Sequence, residues 1–87
     1  MSEWIDDLAA TFALEPLSDD ETDRFLRVAR DVAHRVERKG TPLAAFLMGM
    51  DVAWRMTEGA TRDVAIDASI ATVEALFPAA PDPQPRP

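Results

Sequence analysis

The chain of 87 residues lacks cysteine and tyrosine altogether and contains only three glycines and one histidine, His34. Without cysteine, neither a disulfide framework nor a thiolate-ligated zinc site can form. The glycines stand far apart, so the chain has no glycine-rich loop of the kind that binds phosphate. These absences exclude several common classes of small binding domain before any pattern is considered.

The sequence also lacks the patterns of strands, membrane helices and secretory signals. No stretch alternates apolar and polar residues, so no β-strand is indicated. The longest apolar run, residues 42–50, is much shorter than the ~20 residues of a membrane-spanning helix. The first residues include Glu3, Asp6 and Asp7 instead of the basic start of a signal peptide. We therefore expect a cytoplasmic, all-α protein with no membrane partner.

The chain carries an excess of negative charge. Its 16 acidic and 9 basic residues give a formal net charge of −7. Such a surface repels nucleic acid and anionic lipid, so we expect neither as a partner. Most basic residues lie between Arg24 and Lys39, after an acidic segment. Within the second predicted helix this order complements the helix dipole, which accounts for the segregation of charge.

Apolar residues at helical spacing, together with capping residues, predict four helices, over about residues 2–14, 18–39, 42–57 and 62–77. Their short connections favour a compact four-helix bundle in one domain, residues 1–77. Residues 78–87 are rich in proline and lack large apolar side chains, so a disordered Pro-rich C-terminal tail is expected.

Particular residues indicate where helices begin and end. Ser18 and Glu21 have the spacing of a capping box at the start of the second helix. Gly40 is expected to end that helix in the left-handed conformation. Thr41 is then the expected N-cap of the third helix, and Gly59 its expected end.

The third helix is apolar on nearly every side. Its main face carries Leu43, Phe46, Leu47, Met50 and Trp54. A second, narrower strip behind it is the predicted partner-binding surface and consists of Ala45, Gly49, Val52 and Met56. Trp4 and Trp54 are interpreted as core anchors. Because three other helices cover a central helix only in part, the strip either seats a helix of the same chain or binds a protein partner, including a second copy.

His34 lies on the polar face of the second helix, with Arg30 and Arg38 one turn away on either side. These cations repel a metal ion, so we interpret His34 as a surface residue. A phosphate-bearing ligand is the alternative. Its candidate site consists of Arg30, His34, Glu37, Arg38 and Thr41.

The basic face of the second helix is also spaced for internal ion pairing. Four acid–base pairs lie four residues apart: Asp20–Arg24, Asp23–Arg27, Arg27–Asp31 and Asp31–Arg35. A self-paired, solvated face is therefore the simpler interpretation.

No residue pattern indicates catalysis or a cofactor. The acidic run over residues 18–23 lacks the ligand spacing, central glycine and distal glutamate of a calcium loop. No serine lies in a nucleophile-type context, and adjacent acids on a helix do not form a dyad. We expect no enzymatic activity, no catalytic residue, no metal ligand and no cofactor.

Two segments resemble a known family. The run Ala29–Arg38, ARDVAHRVER, followed by PLAAFLMG over residues 42–49, resembles a small bacterial domain family of unknown function, and Trp4-Ile5 resembles the family's opening. Its members occur alone or fused C-terminal to nucleotidyltransferases similar to the molybdenum-cofactor guanylyltransferase. The resemblance implies association with molybdenum-cofactor (molybdopterin nucleotide) biosynthesis. It does not imply transferase activity, because the catalytic domain is not in this chain.

Two hypotheses therefore stand. The first is a non-enzymatic accessory domain that binds a protein partner or a second copy, the protein partner being a nucleotidyltransferase or another enzyme of molybdenum-cofactor assembly. The second is a small-ligand module that binds a phosphate-bearing cofactor or nucleotide at the Arg30, His34 and Arg38 face.

Overall fold

Four α-helices follow one another in the predicted order. The computed structural model describes residues 3–78, with α1 over Glu3–Thr11, α2 over Asp19–Arg35, α3 over Gly40–Thr57 and α4 over Arg62–Ala75. Residues 3–78 contain no strand. The prediction of an all-α fold with four helices is confirmed. Apart from Pro78, the predicted tail lies outside the described residues.

Two of the predicted helix ends are confirmed. Ser18 Oγ accepts a hydrogen bond from the Glu21 amide at 3.0 Å, and Glu21 Oε1 accepts one from the Ser18 amide at 2.8 Å. This capping box satisfies two amides that have no partner within the first turn of α2. Gly59 follows α3 with a φ of 106°, a conformation that disfavours any residue with a Cβ.

The end of α2 differs from the prediction. The helix stops at Arg35, about one turn before residue 39. The amides of Val36 and Glu37 both donate to the carbonyl of Val32, at 2.9 and 3.0 Å, which closes the last turn. Arg38 therefore lies beyond α2 and does not continue its polar face.

The start of α3 also corrects the prediction for Gly40 and Thr41. Gly40 is the first residue of α3 and does not take the left-handed conformation. Its amide donates to the Glu37 carbonyl at 3.2 Å, and the Thr41 amide donates to the Arg38 carbonyl at 3.1 Å. Because this turn leads directly into α3, Lys39 is the N-cap and no side chain caps the helix.

Three of the helices form the packed part of the fold. α3 lies against both α2 and α4, and α2 contacts α4 less extensively. The buried apolar side chains are Val28, Val32, Met48, Ala65 and Ile66. This is a small core, as expected for a chain that buries a modest share of its surface on folding.

α1 lies apart from the other helices. No Cα atom of Glu3–Thr11 comes within 8 Å of a Cα atom in α2, α3 or α4, and no residue of α1 is buried. Trp4 is 68% exposed, so its predicted role as a core anchor is wrong. The helix ends early because Ala13 adopts a φ of 56°, and the Leu14 amide then donates back to the Ala9 carbonyl at 2.8 Å.

The segment between α1 and α2 is held by α4. Arg62, the first residue of α4, donates from Nη1 to the Glu15 carbonyl at 2.9 Å and from Nη2 to the Pro16 carbonyl at 3.4 Å. The connector is thereby fixed near the start of α4, although α1 itself packs on none of the three other helices.

Candidate interaction surface

The exposed side of α3 is apolar along its whole length. We call it the α3 arc, and it consists of Pro42, Leu43, Ala45, Phe46, Leu47, Gly49, Met50, Ala53, Trp54, Met56 and Thr57. Phe46 is 68% exposed and Trp54 is 65% exposed. No charged residue belongs to the arc. Monomeric proteins rarely expose a contiguous apolar patch of this extent, so the arc is a candidate interaction surface.

The polar side of α3 faces α4. Arg55 Nε donates to Asp51 Oδ2 at 2.9 Å, and Arg55 Nη2 donates to Thr72 Oγ1 at 3.4 Å. The hydroxyl of the buried Ser69 also contributes to lowering the pKa of Asp51. The hydrogen bond from Arg55 lowers the pKa of Asp51, outweighing the opposite effect of desolvation. The only charged pair within α3 is therefore satisfied on the side that faces α4, where both side chains stay partly exposed.

The predicted orientation of α3 is wrong. The main face expected from the sequence points to solvent, so Trp54 is not a core anchor, and Met48 is the buried residue of the helix at 4% exposure. A helix contacts two neighbours through one side only, and here that side carries Ala44, Met48 and the Asp51–Arg55 pair. Because α1 does not pack on α3, no element of residues 3–78 covers the arc.

A signal for this orientation was present in the sequence. Asp51 and Arg55 are the only charged residues within α3, and they lie one turn apart. Ser69 and Thr72 likewise lie about one turn apart on α4, and the structure places Ser69 inside and Thr72 at the exposed edge, where it accepts from Arg55. Polar side chains near a helix interface need hydrogen-bond partners. Polar residues on two facing helices can supply those partners to each other, so they favour packing of these two sides.

The residues predicted to bind a partner are only partly on one surface. Ala45, Gly49 and Met56 belong to the α3 arc, whereas Val52 is half-buried. A Cβ atom built on Gly49 would meet no atom within 4 Å, so the arc is open at this point. The structure thus enlarges the predicted strip to include the large side chains of the main face.

An apolar groove adjoins the arc where α2 and α4 end and α3 begins. Its volume is about 480 Å³, and Leu43 and Leu47 of the arc line one wall while Leu76 and Phe77 line the other. The guanidinium carbon of Arg35 lies 4.9 Å from the centre of the Phe77 ring. The groove extends the apolar surface of the arc towards the end of α4.

The candidate anion site is more dispersed than predicted. Arg30, His34, Glu37 and Arg38 are all exposed, but Arg38 lies beyond the end of α2. Thr41 is half-buried, and its hydroxyl oxygen has no hydrogen-bond partner.

The start of α3 offers little to an anion. The amides of Gly40 and Thr41 already donate to backbone carbonyls. In addition, the Glu37 side chain lies over Gly40, with its Cγ 3.3 Å from the position that a Cβ on Gly40 would take. A carboxylate beside occupied amides does not favour phosphate.

The predicted ion pairs within α2 form only once. Asp20 and Arg24 are 3.8 Å apart, but none of the other three spaced pairs comes within 4 Å in the described part of the chain. Arg24 turns to α4, where it pairs with Asp67 and, at 3.8 Å, with Asp63. Pairing across the helix interface thus replaces pairing along α2.

Neither a metal site nor a membrane helix is found in residues 3–78. No three histidine, cysteine, aspartate or glutamate side chains there are grouped so that they could hold a metal ion. None of the four helices combines the length and apolar character needed to cross a bilayer.

Comparison with known proteins gives one match. No curated protein and no solved structure matches the chain. One family model, described as "Domain of unknown function (DUF6457)", matches residues 1–85. The match agrees with the resemblance to a small domain family of unknown function drawn from residues 29–49. The chain therefore belongs to the DUF6457 family of domains of unknown function.

Proposed function

We propose that this chain is a non-enzymatic, cytoplasmic accessory domain that binds a protein through the α3 arc and acts with an enzyme of molybdenum-cofactor biosynthesis. One observation carries the proposal: the most apolar helix of the fold presents its largest side chains to solvent. Phe46 and Trp54 each expose about two-thirds of their surface. Exposed aromatic side chains within an apolar patch are typical of the energetic centre of protein interfaces.

The rest of the surface supports this choice of site. The three ion-pair clusters within residues 3–78 lie between α2 and α4, along α2, or on the packed side of α3, so none of them lies in the arc. An interface centre depleted of charge and enriched in aromatic residues and methionine has the composition of the arc.

The choice of enzyme depends on the resemblance alone. Domains like this one occur fused to nucleotidyltransferases similar to the molybdenum-cofactor guanylyltransferase, so a nucleotidyltransferase of that type is the proposed client. The alternative of a phosphate-binding module at Arg30, His34 and Arg38 has less support, since the neighbouring amides of α3 are already hydrogen-bonded.

The proposal is tested by affinity capture from the native cell extract, with captured proteins identified by mass spectrometry. The wild-type chain is compared with Leu47→Glu, in the arc, and with Leu26→Glu, a matched leucine on α2 that is 54% exposed. We expect the wild type and Leu26→Glu to capture the nucleotidyltransferase and Leu47→Glu to lose it. Absence of any cofactor-assembly enzyme, or equal capture by both variants, would contradict the proposal.

A further inference from the structure

We infer that a second copy of this chain covers the side of the α3 arc that carries Leu47 and Trp54, with the two α3 helices packed antiparallel about a two-fold axis between Met48 and Gly49. The inference rests on the proposed function, because both require the arc to be a protein-binding surface. An enzyme partner then binds the paired form through the rest of the arc.

The apolar side chains of the arc are arranged symmetrically along α3. Leu43 and Trp54 are equally far from the proposed axis, and so are Leu47 and Met50. In an antiparallel pair, Trp54 of each copy therefore meets Leu43 of the other, and Leu47 meets Met50. A two-fold interface requires this kind of self-complementary surface.

The small residues of the arc lie to one side of this seam. At about 100° per residue, Ala45 and Gly49 point about 100° or more away from Leu43, Leu47 and Met50. The space at the position of a Gly49 Cβ is open. This strip therefore stays accessible when the two copies pair.

The charges at the two ends of α3 favour the antiparallel arrangement. Lys39 is the N-cap and Glu58 is the C-cap, and they too are equally far from the axis. Each charge is unfavourable at its own end of the helix, because a lysine faces the positive end of the dipole and a glutamate the negative end. Neither side chain forms an ion pair in the described part of the chain.

Antiparallel packing relieves both unfavourable charges. It brings Lys39 of each copy to the end of the other helix, beside Glu58 and the negative end of the dipole. Parallel packing would instead place lysine beside lysine and glutamate beside glutamate, so the charges select between the two arrangements.

The area of the arc matches the requirement of a stable dimer. Its five largest side chains expose more than half of their surface, or about 100–150 Å² each for residues of this size, which gives about 600 Å². The adjoining groove brings the area near the ~800 Å² that each partner contributes to a standard interface. The monomer has a small core, and pairing would enlarge it considerably.

The experiment measures the mass of the purified full chain by size-exclusion chromatography with light scattering. We expect a dimer for the wild type and for Leu26→Glu. We expect Leu47→Glu to be a monomer with unchanged helix content, its self-association weakened by at least about a hundredfold, because a charge would be buried at the interface. A dimer that is insensitive to Leu47→Glu would overturn the inference.

Cysteine substitution then tests the arrangement of the helices, and the natural chain has no cysteine to interfere. In the antiparallel pair, the two copies of residue 50 are offset by about 5 Å along the helix axis and those of residue 57 by about 25 Å. We therefore expect Met50→Cys to form a disulfide-linked dimer on mild oxidation and Thr57→Cys to remain unlinked. Efficient linking by Thr57→Cys would indicate parallel packing and overturn the proposed geometry.

A wild-type chain that stays monomeric up to millimolar concentration would also overturn the inference. The proposed function would survive that result if capture of the nucleotidyltransferase still depended on Leu47. A wild-type chain that neither self-associates nor captures the nucleotidyltransferase would overturn both proposals. The failure of the dimer is therefore distinguishable from the failure of the proposed function.

Discussion

Arg62 and Glu21 form a bidentate ion pair between the first turns of α4 and α2. Arg62 Nε lies 2.9 Å from Glu21 Oε2, and Arg62 Nη2 lies 3.1 Å from Glu21 Oε1. Glu21 is buried and also accepts the Ser18 amide of its capping box. One carboxylate therefore caps α2 and joins it to α4, which explains why Glu21 tolerates burial.

The stability of the fold should depend on pH through Glu21. Burial raises the pKa of Glu21, but the hydrogen bonds from Ser18 and Arg62 together outweigh burial and leave the pKa below its ordinary value. The folded state therefore binds its proton less readily than the unfolded state does. The ionised Glu21 side chain therefore stabilises the fold fully at pH values above the ordinary glutamate pKa of about 4.3. This contribution is lost as the pH falls through the lowered pKa of Glu21 in the folded state.

The measurement is urea unfolding of the wild type and Glu21→Gln between neutral pH and about pH 3. At neutral pH, Glu21→Gln should cost about 1–3 kcal/mol, because the Arg62 guanidinium loses its charged partner. The loss of stability on acidification should be smaller in this variant. Glu74→Gln, at an exposed position of α4, is the control and should behave like the wild type. An equal acid dependence in all three proteins would contradict the assignment.

The small core gives a second prediction, with two valines as a matched pair. Val32 is 5% exposed and Val64 is 58% exposed. Val32→Ala removes two methyl groups from the core and should lower the free energy of unfolding by about 1–3 kcal/mol. Val64→Ala should change it by less than about 0.5 kcal/mol, since alanine also has the higher helix propensity. Thermal or urea unfolding of both variants measures these two losses. Equal losses would show that Val32 is not part of the core.

A third prediction concerns α1. A chain without residues 1–11 should keep cooperative unfolding, and its free energy of unfolding should change by less than about 1 kcal/mol, because α1 packs on none of the other helices. Removing residues 1–17 should cost more, since it deletes the carbonyls of Glu15 and Pro16 that Arg62 binds. If the shorter deletion abolishes cooperative unfolding, α1 contributes to the core and the description of the fold is wrong.

Local signals in the sequence were sufficient for the helices and for some of their ends. Ser18, Glu21 and Gly59 act within a few residues of their own position, so their effects can be predicted without knowing the rest of the fold. Gly40 was mispredicted because a turn through the Glu37 carbonyl provides another route from α2 to α3. Several local conformations compete there, and sequence spacing does not choose among them.

The candidate site could be predicted as a property of α3 but not as a set of exposed residues. The sequence shows that α3 has apolar residues on nearly every side, more than the other helices can cover. The side that packs depends on contacts such as Arg55 to Thr72 and on the separation of α1, both of which join distant parts of the chain. The ion pair between Arg62 and Glu21 was missed for the same reason, since 41 positions separate the two residues.

The division of α3 into a packed side and an open side has a consequence for evolution and for design. Substitutions on the open side leave Met48 and its neighbours untouched, so selection could alter which molecule the domain recognises without first having to rebuild its scaffold. In protein design, the exposed apolar residues on that side could be replaced with glutamate and lysine to obtain a monomer. A new recognition motif could also be built there.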